Sequence, residues 1–346
     1  MAMALAMALT ASPSSHLKFQ LSRGPAFHSF RVSYANAAAA PAPWAREAVS
    51  RRPDRGRIGA TGNRKGNAPD GDNESLALKI LRLDGWDVPW GYGVTTLGLL
   101  GWLVSFFVTG LATAVLGHNL GIDRREILDM DEQAAFILFS QVLQTITGLG
   151  TINLVTTKYQ PLPSDMFVYD FRKPFDLQRG WLLWSGIGIL CAGGAVVLTS
   201  IIVSSVNGEL PPREDNDALS QLLPLIGVSP LSTASLIVVT GALAPLLEET
   251  VFRGFLLTSL TKRLPVPVAV VLSAAAFALA HLTPGEFPQL FALGIVIGFA
   301  YSKTHNMLTP ILIHATWNSG VVVALTALSF QGYDLSQVLS LILMGS

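Results

Sequence analysis

Charged residues are scarce in this sequence. They make up 13% of its 346 residues, while hydrophobic residues make up 50% and the mean hydropathy is +0.47. An ordinary soluble domain is about 25% charged. The deficit therefore excludes a typical water-soluble protein and indicates a chain built for a lipid bilayer.

Cysteine is nearly absent as well. Cys191 stands alone, so the chain can form neither an intramolecular disulfide nor a cluster of thiolate metal ligands. Because Cys191 falls in an apolar run, we expect a buried, unreactive thiol.

Phosphate-binding and dinucleotide-binding fingerprints are also missing. We expect no nucleic-acid partner, since the aromatic and basic residues of 158–181 fit a belt at the membrane interface.

The first 69 residues differ in composition from the rest of the chain. They are rich in Ala and Ser and carry ten Lys and Arg against two acidic residues, a net charge of +8, whereas residues 70–346 carry −8. A basic, acid-poor, Ser-rich start is typical of an organelle transit peptide. We interpret residues 1–69 as a plastid transit peptide, with a disordered tail that stays attached as the alternative.

Apolar runs alternate with short polar loops beyond residue 85. Runs of about 18 or more apolar residues are candidate membrane spans, and the lack of strand-length alternation indicates helices. The sequence thus predicts an all-α, polytopic helical membrane bundle of about seven to eight transmembrane segments. The runs are Trp90–Leu116, Ala134–Val155, Trp181–Val206, Leu231–Leu260, Val266–Leu282, Phe287–Tyr301, Leu308–Phe330 and, as a possible eighth, Leu335–Met344.

Two glutamines in the second run bear on the interior of the bundle, and the basic residues of the loops bear on its orientation. Gln141 and Gln144 lie in the second run, and we expect them to hydrogen-bond between helices, with a role in lining a cavity as the alternative. The loops on the side of the N-terminal segment carry nine basic residues and the opposite loops three. This bias places the first side in the stroma of a plastid.

Three charges interrupt the fourth run. Glu248, Glu249 and Arg253 stand in APLLEETVFRGFLL (244–257), a segment otherwise suited to lipid. Ionisable residues at this depth are functional candidates because their insertion is unfavourable. Glu249 and Arg253 are one turn apart and can pair. Glu248 lies about 100° around the helix with Phe252 at its own i+4 position. This placement favours Glu248 as a general base and the pair as its brace, with a structural polar cluster as the alternative.

Two histidines and an asparagine extend this group. Of the six histidines, only His281 and His314 lie in or at the end of apolar runs, and Asn318 follows His314 by one helical turn. A lone membrane histidine is often a helix-to-helix hydrogen bonder. These residues and Glu248, on three separate helices, fit one inward-facing site better. A carboxylate can deprotonate a water while His and Asn donors hold an oxyanion, which is a means of hydrolysing amides without a nucleophilic side chain.

Three short motifs resemble a known family. EETVFR (248–253), FALAH (277–281) and HATWN (314–318) match the EExxxR, FxxxH and HxxxN/B motifs of the CAAX prenyl endopeptidase family, also called CPBP or Abi. The resemblance implies an intramembrane glutamate endopeptidase acting on membrane protein substrates. By position, it implies that Glu248 activates a water, that Glu249 and Arg253 support it, and that His281, His314 and Asn318 position the water and stabilise the oxyanion.

The resemblance divides the chain and leaves alternatives open. After the transit peptide it gives a pre-membrane segment 70–89, N-terminal transmembrane helices 90–230, a catalytic core 231–330 and a short apolar segment 331–346. A non-catalytic membrane scaffold that binds and stabilises partner proteins on the same fold is the alternative function. No cofactor is expected. Zinc is the alternative, although its ligands would come from three segments and no HExxH motif is present.

One difficulty concerns depth in the membrane. Simple alternation of the spans puts Glu248 and His314 toward one side and His281, at the end of the fifth run, toward the other. A shared site requires all three side chains at one depth. A short or tilted fifth segment, flanked by Pro265 and Pro284, would provide it.

Overall fold

Seven helices make up the part of the chain that the structure, a computed structural model, describes: residues 83–121, 129–207 and 222–333. These residues contain no strands, which confirms the all-α prediction. The expected transit peptide and the run Leu335–Met344 lie outside them. The helices are α1 Tyr92–Leu120, α2 Met130–Thr156, α3 Trp181–Asn207, α4 Pro230–Thr261, α5 Val266–Ala280, α6 Phe287–Thr304 and α7 Leu308–Phe330.

The outer surface of the bundle is apolar. Five of the helices (α1, α2, α3, α4 and α7) are long and apolar enough to cross a membrane. Large apolar side chains such as Leu97, Val108 and Leu190 are exposed on it. A soluble protein rarely exposes contiguous apolar surface on this scale, whereas lipid covers it favourably. The chain is therefore a multi-pass membrane protein.

Cys191 corrects one expectation. Its side chain is exposed on α3 rather than buried. The neighbouring Ala192 is fully buried against α6 and α7, and one residue of helix turns the side chain by about 100°. An apolar run thus predicts that a residue lies in the membrane. Whether its side chain faces lipid or the protein interior depends on how α3 packs.

Helix α4 stays continuous across the bundle but is irregular. Two of its segments, Val239–Leu243 and Thr250–Leu257, are wound as π-helix. The first ends just before Pro245, which lacks an N–H and would clash with the carbonyl of Gly241 in a regular α-helix. The wider turn accommodates the proline without breaking the helix, and π-turns of this kind are frequent at functional sites.

The hairpin of α4 and α5 removes the difficulty over depth. Glu248 lies 13 residues before the end of α4 at Thr261, and His281 follows the 15 residues of α5 that begin at Val266. At 1.5 Å per residue these arms are about 20 Å and 22 Å long. Both side chains therefore return to one level, and the short fifth segment is confirmed.

The turn before α7 is set inside the bundle and brings His314 to the same level. Met307 is fully buried, and its N–H donates to the carbonyl of Val168 in the loop that covers this end. Met307 and Phe167 both pack on Gly254, where a Cβ would lie 2.5 Å from the Phe167 ring. Helix α7 therefore begins beside α4, and His314 follows within two turns.

Helices α5 and α6 approach closely through glycine. A Cβ at Gly294 would lie 3.0 Å from the Cβ of Ala274, and one at Gly298 would lie 2.9 Å from Val270. This close packing places the backbone of α6 against α4. The carbonyl of Gly294 accepts a hydrogen bond from Arg253 Nη2 at 3.2 Å.

Candidate active site

Three side chains from three helices meet inside the bundle. Glu248 Oε2 lies 3.9 Å from His281 Nε2 and 3.8 Å from His314 Nε2. Glu248 and His314 are buried, and the side chain of His281 is 15% exposed. The ring of Phe277 packs edge-on against both imidazoles. The structure therefore brings together the carboxylate and both histidines expected from the sequence.

The second nitrogen of each imidazole fixes how that ring faces Glu248. His281 Nδ1 lies 2.8 Å from the Phe277 carbonyl, and His314 Nδ1 lies 2.7 Å from Glu249 Oε1. Carbonyl and carboxylate oxygens only accept, so both Nδ1 atoms donate. In the neutral rings each Nε2 then presents a lone pair toward Glu248. Together these atoms can hold a water by its hydrogens, and a histidine Nε2 donates only after it takes up a proton.

Glu249 and Arg253 form the expected ion pair. Arg253 Nη1 donates to Glu249 Oε1 at 3.0 Å, with both side chains fully buried. The guanidinium also stacks over the Phe277 ring, 4.4 Å from its centroid. The same Glu249 oxygen receives His314 Nδ1. The pair thus compensates two buried charges and fixes the orientation of a site histidine.

Asn318, expected to help position the water and stabilise the oxyanion, makes a hydrogen bond from α7 to α4. Its Nδ2 donates to the backbone carbonyl of Thr240 at 3.1 Å. In the π-turn the N–H of Ala244 bonds the carbonyl of Val239. The next carbonyl, that of Thr240, therefore faces Pro245, which has no N–H to donate. Asn318 supplies the missing donor, and the only sequence signal for this role is a proline five residues after Thr240.

Metal ligation was the alternative for the same residues. Across the described ranges, no group of three His, Cys, Asp or Glu side chains is arranged to hold a metal ion.

Fold and site define a class: multi-pass helical membrane proteins with a carboxylate and two imidazoles that meet inside the bundle at one depth. Comparison with known families agrees, because residues 230–320 match the model described as Type II CAAX prenyl endopeptidase Rce1-like. The resemblance of the three motifs to this family is thereby confirmed for residues 230–320.

Three known proteins that are similar to this chain come from bacteria. The membrane-embedded CAAX protease MroQ of Staphylococcus aureus is 23% identical over 54% of this chain and 73% of its own length. YdiL of Bacillus subtilis is 26% identical over 41% of this chain and 55% of its own. The UPF0177 protein YxdF of Lactococcus lactis is 28% identical over 42% and 77%. No solved structure matches the chain.

Proposed function

We propose that this chain is an intramembrane endopeptidase that hydrolyses peptide bonds of membrane-associated proteins. The observation that carries the proposal is the convergence of Glu248 with His281 and His314, each within 3.9 Å, in the interior of a membrane bundle. A buried cluster of this kind is unfavourable in a membrane unless it has a function. The match to an endopeptidase family and the name of MroQ support the same reaction.

The proposed reaction uses a water held between the three side chains. Glu248 takes a proton from the water, whose oxygen forms a bond to the carbonyl carbon of the peptide. The resulting oxyanion needs a hydrogen-bond donor. His314 provides it through Nε2 once that ring is protonated, because its Nδ1 already donates to Glu249. Collapse breaks the C–N bond, and Glu248 returns its proton to the departing amine. His281 positions the water through Nε2.

A comparison of protein termini tests the proposal. Membranes with the native chain, with Glu248→Gln and with Glu132→Gln are compared at matched abundance, since Glu132 lies exposed at the start of α2. We expect specific new termini with the native chain and with Glu132→Gln, and their loss with Glu248→Gln, because the amide cannot accept the proton. Identical termini in all three, with function retained, would instead support the non-catalytic scaffold.

The proposed location and organisation rest on the sequence. We propose that residues 1–69 direct the chain to a plastid membrane, that residues 70–89 precede the bundle, and that residues 331–346 follow it. Residues 90–230 supply the first transmembrane helices and residues 231–330 the catalytic core. The enzyme then acts on proteins of that membrane, with the basic loops in the stroma.

A further inference from the structure

Buried polar atoms on α2 have no place in the reaction described so far. Ser140 Oγ and Gln144 Oε1 are both buried, and neither has a hydrogen-bond partner among the described residues. The two residues are one turn apart and so share a face of the helix. Such orphaned atoms are unfavourable inside a membrane, where no bulk solvent replaces the missing bond.

Other hydroxyls in the same helices avoid this situation. Thr113, Thr145 and Thr156 are equally buried, and each donates to a carbonyl one turn earlier in its own helix. A buried hydroxyl in these helices can therefore donate to a backbone carbonyl of its own helix. Ser140 Oγ makes no such bond, and Gln144 Oε1, an acceptor, cannot make one to a carbonyl.

The orphaned atoms lie between one end of the bundle and Glu248. Helices α2 and α4 begin together, where Ser229 Oγ donates to Asp131, and they run in the same direction until Leu247 packs on Gly148. Ser140 and Gln144 lie on α2 between these two contacts. Thr240 lies on α4 over the same stretch, and its buried Oγ1 also lacks a partner within the described part of the chain.

A tryptophan continues this row to the level of the site. Trp102 of α1 is 8% exposed, and its ring packs against Phe252, one turn after Glu248. A Cβ at Gly148 would lie 3.3 Å from the same indole, so Trp102 is one turn of α2 from Gln144. The indole N–H of Trp102 has no acceptor in the residues described.

We infer that ordered waters fill a path from the shared start of α2 and α4 to Glu248, bonded by Ser140, Thr240, Gln144 and Trp102. The four groups offer hydroxyls, an amide oxygen and an N–H, a mixture that suits water, which both donates and accepts. A peptidase in a bilayer consumes one water per cleavage, and this path supplies it. The supply role rests on the proposed function, whereas the waters themselves do not.

Radiolytic hydroxyl labelling of the full chain in lipid nanodiscs tests for the waters. Radicals form from the water itself, so a buried side chain is oxidised only where a bound water touches it. We expect Trp102 to be labelled. Trp90, 2% exposed and bonded through Nε1 to Ser259, is the matched control and should not be labelled. Equal, background labelling of both tryptophans overturns the proposal.

Two substitutions then test the path itself. We expect Gln144→Leu to abolish labelling of Trp102 because it removes a polar partner of the waters, and Gln144→Glu to retain it. Ser140→Ala, a smaller change, serves if Gln144→Leu does not fold. Labelling of Trp102 that survives both apolar substitutions overturns the proposal.

Kinetics test the supply role. Gln144→Leu should lower kcat at unchanged KM, because the water and not the peptide arrives more slowly. Native kcat in a variant that has lost labelling at Trp102 would contradict supply. The labelling result does not depend on proteolysis, so failure of the path and failure of the proposed function, seen with Glu248→Gln, are distinguishable.

Discussion

One oxygen of Glu249 serves two partners. It accepts from Arg253 Nη1 at 3.0 Å and from His314 Nδ1 at 2.7 Å. The first contact compensates a buried guanidinium, and the second orients a ring that faces Glu248. Stability and the proposed reactivity therefore both depend on one carboxylate, but they should respond differently to substitution.

The brace gives a prediction in which stability and activity separate. Glu249→Leu or Arg253→Met alone leaves an uncompensated buried charge, a loss of about 3–5 kcal/mol. The double variant removes both charges, so it should unfold at a higher temperature than either single variant. It should still be inactive, because His314 Nδ1 has lost its acceptor.

Thermal unfolding in detergent micelles and cleavage of a membrane substrate check this pair of outcomes. A double variant that is no more stable than the single variants would contradict the charge argument. An active double variant would show that Glu249 does not position His314.

The sequence predicted part of this residue-scale arrangement. Glu249 and Arg253 could be paired because i, i+4 spacing within one helix is local information, and the ion pair confirms it. The contact of Glu249 with His314 joins positions 65 residues apart. Motif order predicts that such residues share a site, but which oxygen meets which nitrogen depends on how α4 and α7 pack.

At the scale of the element, α4 determines the geometry of the site. Its π-turns accommodate Pro245 and leave the carbonyl of Thr240 without a backbone donor. Asn318 closes that gap from α7. The two helices that carry Glu248 and His314 are therefore tied together two turns of α4 before Glu248.

A double-mutant cycle tests this account of Asn318. Asn318→Leu should destabilise the protein by about 1–3 kcal/mol, since it leaves a buried acceptor unsatisfied. In a Pro245→Ala background the new N–H can reach the Thr240 carbonyl, so the same substitution should be less destabilising. Thermal unfolding of the four proteins gives the coupling, and strictly additive losses would contradict the role assigned to Asn318.

Counting membrane spans did not predict the relative depth of Glu248 and His281. Alternation of loops put His281 and Glu248 on opposite sides, yet the arms of 13 and 15 residues on either side of the turn after Thr261 were already present in the sequence. Residue counts from a shared turn predict relative depth where helices are short. The buried turn at Met307 could not be predicted, because it depends on the loop packed over it.

At the scale of the molecule, the two ends of α4 define two sides of the membrane. The loop that precedes α3 lies at one end, where Trp86 bonds both Asp165 and Thr261. Val228 lies just before the other end of this helix, whose 32 residues span about 48 Å. Nine basic loop residues on the first side predict that it faces the stroma.

Single cysteines test the orientation and the location together. In a Cys191→Ser chain, Leu177→Cys and Val228→Cys place exposed thiols near opposite ends. After import into isolated plastids we expect a shortened N-terminus, and labelling of Leu177→Cys by an impermeant maleimide only when the stromal face is accessible. Val228→Cys should show the opposite pattern. A precursor that is not imported would contradict the plastid assignment, and labelling of both positions from one side would contradict the topology.

The central claim is that the carboxylate of Glu248 acts as the base in peptide hydrolysis. The most direct measurement is kcat/KM for one membrane substrate in lipid nanodiscs, with the native chain, Glu248→Gln and Glu132→Gln at equal thermal stability. We predict a fall of about 10²–10⁴-fold for Glu248→Gln and no change for Glu132→Gln. Equal activity of Glu248→Gln and the native chain would contradict the claim.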